Sequence, residues 1–282
     1  MFARFTRSWN IAGQCLRVLD EDRSLVLFPL LSCAALLVVF ASFGLPIWFA
    51  YHAASLNALR QVGGPTQVLG YFCMYLVSYS VSTFFNTALV FVALKRMNGE
   101  QASVSDGLSA AIKRLPTILG YCLIAATVGA ILRMIEERVG FIGKIITGML
   151  GFGFSIATAL VVPILAANDI GPVDAIKQST EMMKRTWGEN IIGNAGISFA
   201  TVIAMLAVVF GSGVLVLLAA QAGSPVLALG AGAAGVLTFL VVLLVSVTLH
   251  SIYTAALYRY ASGAPGNQYF DQSVLGGAYR LR

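Results

Sequence analysis

The stretch Leu25–Tyr51, LVLFPLLSCAALLVVFASFGLPIWFAY, holds no charged residue over 27 positions. At ~1.5 Å per residue it makes a helix of about 40 Å, longer than the ~30 Å hydrocarbon core of a bilayer. A charged side chain at the bilayer centre costs roughly 3 kcal/mol or more, so a charge-free run of this length reports the solvent around it. Five further runs share the property: Val68–Leu94, Pro116–Leu132, Ile145–Ala167, Ile191–Ala220 and Val226–Tyr258. The fold expected is an all-α membrane protein with six transmembrane helices.

Composition agrees. Hydrophobic residues make up 58% and charged residues 11%, against roughly 45–50% and 25% in soluble domains. The connections leave no room for a soluble domain. One membrane domain over residues 1–258 is expected, with 259–282 as a cytoplasmic tail. The formal charge of +6 reads as loop charge facing anionic lipid headgroups, because no basic patch is interleaved with aromatics as nucleic-acid binding requires. Cys15, Cys33, Cys73 and Cys122 are scattered, without a CxxC pair. They read as small packing residues, and neither a metal site nor a cofactor is expected. The first apolar run follows Asp20-Glu21-Asp22 and exceeds the ~7–15 residues of a signal-peptide core.

Lys and Arg set the orientation. Arg4, Arg7, Arg17, Arg23, Lys95, Arg96, Lys113, Arg114, Lys177, Lys184, Arg185, Arg259, Arg280 and Arg282 fall on one side, 14 in all. Only Arg60, Arg133, Arg138 and Lys144 fall on the other. The positive-inside rule places both termini in the cytoplasm of a cell with this protein in its inner membrane.

The cytoplasmic segments are themselves patterned. Phe2, Phe5, Trp9, Ala12, Leu16 and Leu19 recur at helical spacing, as do Val104, Leu108, Ile112 and Leu115, and then Val173, Ile176, Thr180, Met183 and Trp187. Ser103 and Asp106 have the spacing of a capping box, Pro116 ends the second segment, and Gly188 is placed to stop the third. Three amphipathic helices lying flat at the inner surface are expected. Each is followed by a hairpin, giving units of about 1–95, 96–167 and 168–258. Against this threefold pattern stands the reading that any basic amphipathic segments look alike.

The run Ser82-Thr83-Phe84-Phe85-Asn86, then Ala93-Leu94-Lys95-Arg96-Met97-Asn98-Gly99-Glu100 and Asp106-Gly107-Leu108, resembles an uncharacterised family of bacterial and archaeal membrane proteins. So do Ala126-Thr127-Val128-Gly129 with Glu136-Glu137-Arg138, and Gly171-Pro172 with Thr186-Trp187-Gly188-Glu189. The resemblance runs from Phe2 to about Gly196. It implies six membrane helices and no activity.

Within the spans, Tyr71, Tyr75, Ser78, Ser82 and Asn86 recur at i, i+4, i+7, i+11 and i+15. Such a stripe turns inward, either as hydrogen-bonding glue between helices or as the wall of a wet cavity. His250 lies at a depth that lets it share that cavity with Asn86. Small residues at Thr147, Gly151, Ser155 and Ala159, at Gly196, Ala200 and Ala204, and at Ala231 and Gly235 mark close helix contacts, and Pro46 and Pro163 are expected to kink their helices. Thr186 and Glu189 have capping-box spacing for span five, with Trp187 at the headgroups, or else form a partner or headgroup site. No Asp or Glu sits at mid-span and no catalytic set is present, so an enzyme is not expected. A non-catalytic scaffold or partner of another membrane protein is the first reading. A transporter or channel for a neutral or lipid-like solute is the alternative.

Overall fold

The computed structural model describes residue 13 and residues 15–53 and 65–263, with side chains except at 47, 49–53, 65–68 and 185–200. The N-terminal aromatic stripe before residue 13 and the tail beyond 263 lie outside these residues. Residues 15–21 are helical and are followed by a 3-10 turn, Arg23–Val26. The α-helices that follow are α1 (Leu27–Ala53), α2 (Pro65–Met97), α3 (Val104–Lys113), α4 (Leu115–Glu136), α5 (Phe141–Ala157), α6 (Val161–Ala167), α7 (Pro172–Gln221) and α8 (Pro225–Ala261). No strand occurs among the described residues. Six segments are long and apolar enough to cross a membrane: Arg23–Pro46, Leu69–Met97, Leu115–Glu136, Phe141–Ala167, Thr201–Gln221 and Pro225–Ala261. They coincide with the six charge-free runs.

Helix ends follow local chemistry. At the end of α2, the Glu100 N–H reaches the Lys95 carbonyl (3.0 Å) and the Gly99 N–H reaches that of Arg96 (2.9 Å), while Gly99 takes φ +79°. This is a Schellman stop, which needs a residue free of Cβ strain in the left-handed region. Gly223 (φ +72°) ends α7 in the same way, with Ser224 then capping α8 through the Leu227 N–H. The Ser103–Asp106 capping box is present, with the Ser103 N–H donating to the Asp106 carboxylate at 2.9 Å.

Two elements differ from expectation. The third amphipathic segment does not stop at Gly188, and no cap opens span five at Thr186, because α7 is continuous from Pro172 to Gln221. A single interior glycine costs only about 1 kcal/mol, and the next proline in the chain is Pro225. Span four, in contrast, is broken rather than kinked. Residues 158–160 form a turn between α5 and α6. Pro163 has no N–H for the Ala159 carbonyl and its ring crowds that oxygen. The chain tightens to three-residue bonds, Ala159 N–H to Ile156 O (3.2 Å) and Val161 N–H to Thr158 O (3.0 Å). The Leu160 N–H, left over, donates to the Ser179 hydroxyl of α7 at 3.1 Å, and both residues are buried. Pro46, by contrast, lies within an unbroken α1.

The chain divides into two compact units, Leu27–Arg185, and Met1–Val26 with Thr186–Arg282. In the first, α2 packs against α1, α3, α4 and α6. Its C-terminal half is accordingly buried all round: Thr87, Ala88, Leu89, Val90, Val92, Ala93 and Leu94. Facing them are Phe28, Ile118, Tyr121, Cys122, Leu160, Ile164 and Leu165, which complete the core. The tightest approach between helices of this unit is at Gly107 on α3, where an added Cβ would sit 2.8 Å from the Ala88 carbonyl oxygen and 2.9 Å from Phe28 Cζ. In the second unit, Gly235 of α8 meets Ser212 of α7, Gly232 faces Val216, and α8 packs against the Arg23–Val26 turn. Cys15 is buried, and burial pushes its thiol up to about 12.

Gly107→Ala should lower thermal stability in micelles by about 1–3 kcal/mol, since backbone blocks the new methyl. Gly129→Ala, with nothing within 4 Å, should be neutral or mildly stabilising. Ser179→Ala should cost roughly 1–3 kcal/mol by orphaning a buried donor, and the Leu160 amide should then exchange hydrogen faster than its helical neighbours.

Candidate functional site

The polar residues of α2 do not all lie where the spacing put them. Tyr71 and Tyr75 are exposed, and Ser78, Ser82 and Asn86 are half-buried. The buried polar positions are Ser80, Thr83 and Thr87, further round the helix. Each of these hydroxyls donates to the carbonyl four residues earlier, at 2.7–2.8 Å: Ser80 to Leu76, Thr83 to Tyr79, Thr87 to Thr83. A hydroxyl bound to its own helix needs no partner across the interface. The bond between helices comes from residues outside the expected stripe: Tyr79 of α2 and Tyr121 of α4 meet hydroxyl to hydroxyl at 3.0 Å. Tyr75 stacks on Tyr79 with ring centroids 6.0 Å apart. The sequence holds the signal for this second ladder, since Tyr75, Tyr79, Thr83 and Thr87 recur at i+4 spacing.

His250 is exposed on α8, and its carbonyl accepts from the Thr254 hydroxyl at 2.7 Å. It belongs to a different compact unit from Asn86. Thr186, Trp187 and Glu189 lie on α7 with side chains outside the described residues. Among the described residues no group of three or more His, Cys, Asp or Glu is placed to hold a metal ion.

Two clefts of about 540 Å³ each flank α4, one at either end. The first lies between α4 and α5, lined by Arg133, Glu136, Glu137 and Lys144 over Gly148 and Gly151, with Arg133 and Glu137 paired at 3.4 Å. The second lies between α3 and the end of α2. Phe91 is part of its wall, with Lys95 Nζ 6.0 Å and the Arg114 guanidinium carbon 5.6 Å from the ring centre. Lys113, Ser109, Gln101 and Asp106 complete it. Arg114 is held there by the bend between α3 and α4: it is the one residue joining them, and Pro116 follows in the first turn of α4. Hydrogen bonds from the Ser103 hydroxyl and N–H hold the Asp106 carboxyl below the usual carboxylate range, so it stays charged.

A family model matches residues 66–267. The chain belongs to DUF6159, a family of unknown function. The DUF6159 match opens in the first turn of α2 and closes just past α8. It therefore includes the last hairpin, beyond the Gly196 limit of the sequence resemblance, and leaves out α1. No curated protein matches the chain.

The Tyr79–Tyr121 bond should be measurable. Tyr79→Phe and Tyr121→Phe should each destabilise the protein in micelles, and the double variant should lose less than their sum, with a coupling of roughly 0.6–2 kcal/mol.

Proposed function

We propose that this protein is a non-catalytic component of a membrane assembly, seated in the inner membrane of a prokaryotic cell with both termini in the cytoplasm. In this reading α3 lies along the cytoplasmic surface, where the large apolar side chains of α3 and the start of α4 meet lipid. The exposure of Ile112 and Leu115 supports that placement. The excess of Lys and Arg on one side supports the orientation.

One observation carries the assembly reading. In lipid the hydrophobic effect does not drive helices together, and association relies on small residues that let backbones approach. Some of these are used within the chain, as at Gly107 and Gly235. Others are open: Gly148 and Gly153 on α5, Gly211 and Gly213 on α7, and Gly230 on α8 have nothing within 4 Å of an added Cβ among the described residues. Open small-residue faces on three helices suit neighbouring membrane helices. Transport has less behind it, because the hydroxyls of Ser80, Thr83 and Thr87 are already bonded to their own helix.

A photoreactive amino acid at Val214 or Leu217, both exposed beside Gly213, should give a discrete protein adduct when irradiated in native membranes. Illumination that yields lipid adducts alone at both positions would sink the assembly reading. Impermeant thiol labelling of a cysteine introduced at Ser109 tests the orientation separately, and should fail in intact cells and succeed in inverted vesicles.

A further inference from the structure

We propose that the cleft between α3 and the end of α2 binds a phosphate-bearing anion through Lys113, Arg114 and Lys95. Three cations and one carboxylate line it. The carboxylate, Asp106, is engaged by Ser103 in the capping box, at 2.9 Å from the N–H and 2.6 Å from the hydroxyl. Lys95 is paired with Glu100. Lys113 and Arg114 have no carboxylate within ion-pair distance among the described residues. Arg114 makes one long bond, to the Ala110 carbonyl at 3.4 Å, and its Nε is buried without an acceptor.

The cations are also held in place. Lys95 and Arg114 both sit on the Phe91 ring, which fixes their direction at small cost. Two cations on one ring repel each other, and an anion between them removes that repulsion. A guanidinium offers paired donors that match phosphate oxygens, and the Ser109 hydroxyl and Gln101 amide add neutral donors in the same cleft. The neighbouring turns expose Ile112, Leu115 and Leu119. An apolar rim beside a cationic cleft fits a phospholipid, with its headgroup phosphate between the cations and its acyl chains along that rim. The lipid form of the inference rests on the reading that residues 98–115 lie at the membrane surface. The phosphate site does not.

The test uses the full-length protein purified in micelles and in nanodiscs. The probes are phosphatidylglycerol, phosphatidylcholine and inorganic phosphate. Lipid retention is counted by native mass spectrometry, and phosphate binding is followed by phosphorus NMR line width. Replacing both Lys113 and Arg114 by Gln should reduce phosphatidylglycerol retention by about tenfold or more, and phosphatidylcholine retention should not change. Lys113→Gln alone, at an exposed position, should give part of that loss without disturbing the fold. Lys113→Arg, which keeps the charge, and Lys184→Gln, outside the cleft, should behave as wild type. If inorganic phosphate binding depends on Lys113 and Arg114 and lipid retention does not, the site takes a free phosphate and the lipid form falls. If neither depends on them, the proposal is overturned. The Ser109 labelling result bears on orientation alone, so a failure there is distinguishable from a failure of the cleft.

Discussion

Hydrocarbon offers no hydrogen bonds, so every polar group carried into the spans has to be satisfied by the protein itself. The first compact unit meets this constraint at several levels, the buried Ser78 hydroxyl being an exception without a partner among the described residues. Most backbone groups pair within their helices. The hydroxyls of Ser80, Thr83 and Thr87 turn back onto their own backbone. Tyr79 and Tyr121 satisfy each other across the α2–α4 contact. At the turn of residues 158–160, the one stretch of span four where the helix fails, a buried serine from a later helix supplies the missing acceptor.

The same solvent changes what burial means. On α3 the buried residues are Gly107, Ala110 and Ala111, while Ile112 is 61% exposed. On the first turns of α7 the buried positions are Ala175, Ser179 and Met183, and Val173 is exposed. On α3 small residues meet the protein and the large Ile112 does not, and on α7 two of the three buried positions are small, the reverse of a water-soluble helix. The C-terminal half of α2 is the exception that organises the rest. With α1, α3, α4 and α6 around it, it buries large and small residues alike.

Much of this was legible in the residues. Charge-free length located all six segments long and apolar enough to cross a membrane, and Ser103 with Asp106 announced the start of α3. What failed were readings that depend on competition between close alternatives. Gly188 resembles a helix stop, but a glycine without a proline behind it loses to the hydrogen bonds on either side. Pro163 was legible as a perturbation, yet breaking differs from kinking through a distant partner, Ser179, that no local pattern reveals. On α2 two polar ladders share Tyr75, and periodicity alone does not choose between them; the position of Tyr121 on α4 does. The cationic cleft was invisible for a related reason. Lys95, Lys113 and Arg114 were counted for topology, and only the bend at Arg114 brings them around one phenylalanine.

The interrupted fourth span has a consequence for how the protein is made. A chain emerging from the ribosome reaches Leu160 before it reaches Ser179, nineteen residues later. Until that serine is synthesised and docked, the amide at the break lacks the acceptor it has in the folded protein. The C-terminal end of this segment therefore reaches its final hydrogen bonding only after the following helix has begun to form. Closing the break at Leu160 is thus coupled to the docking of the first turns of α7, and the two segments complete one another.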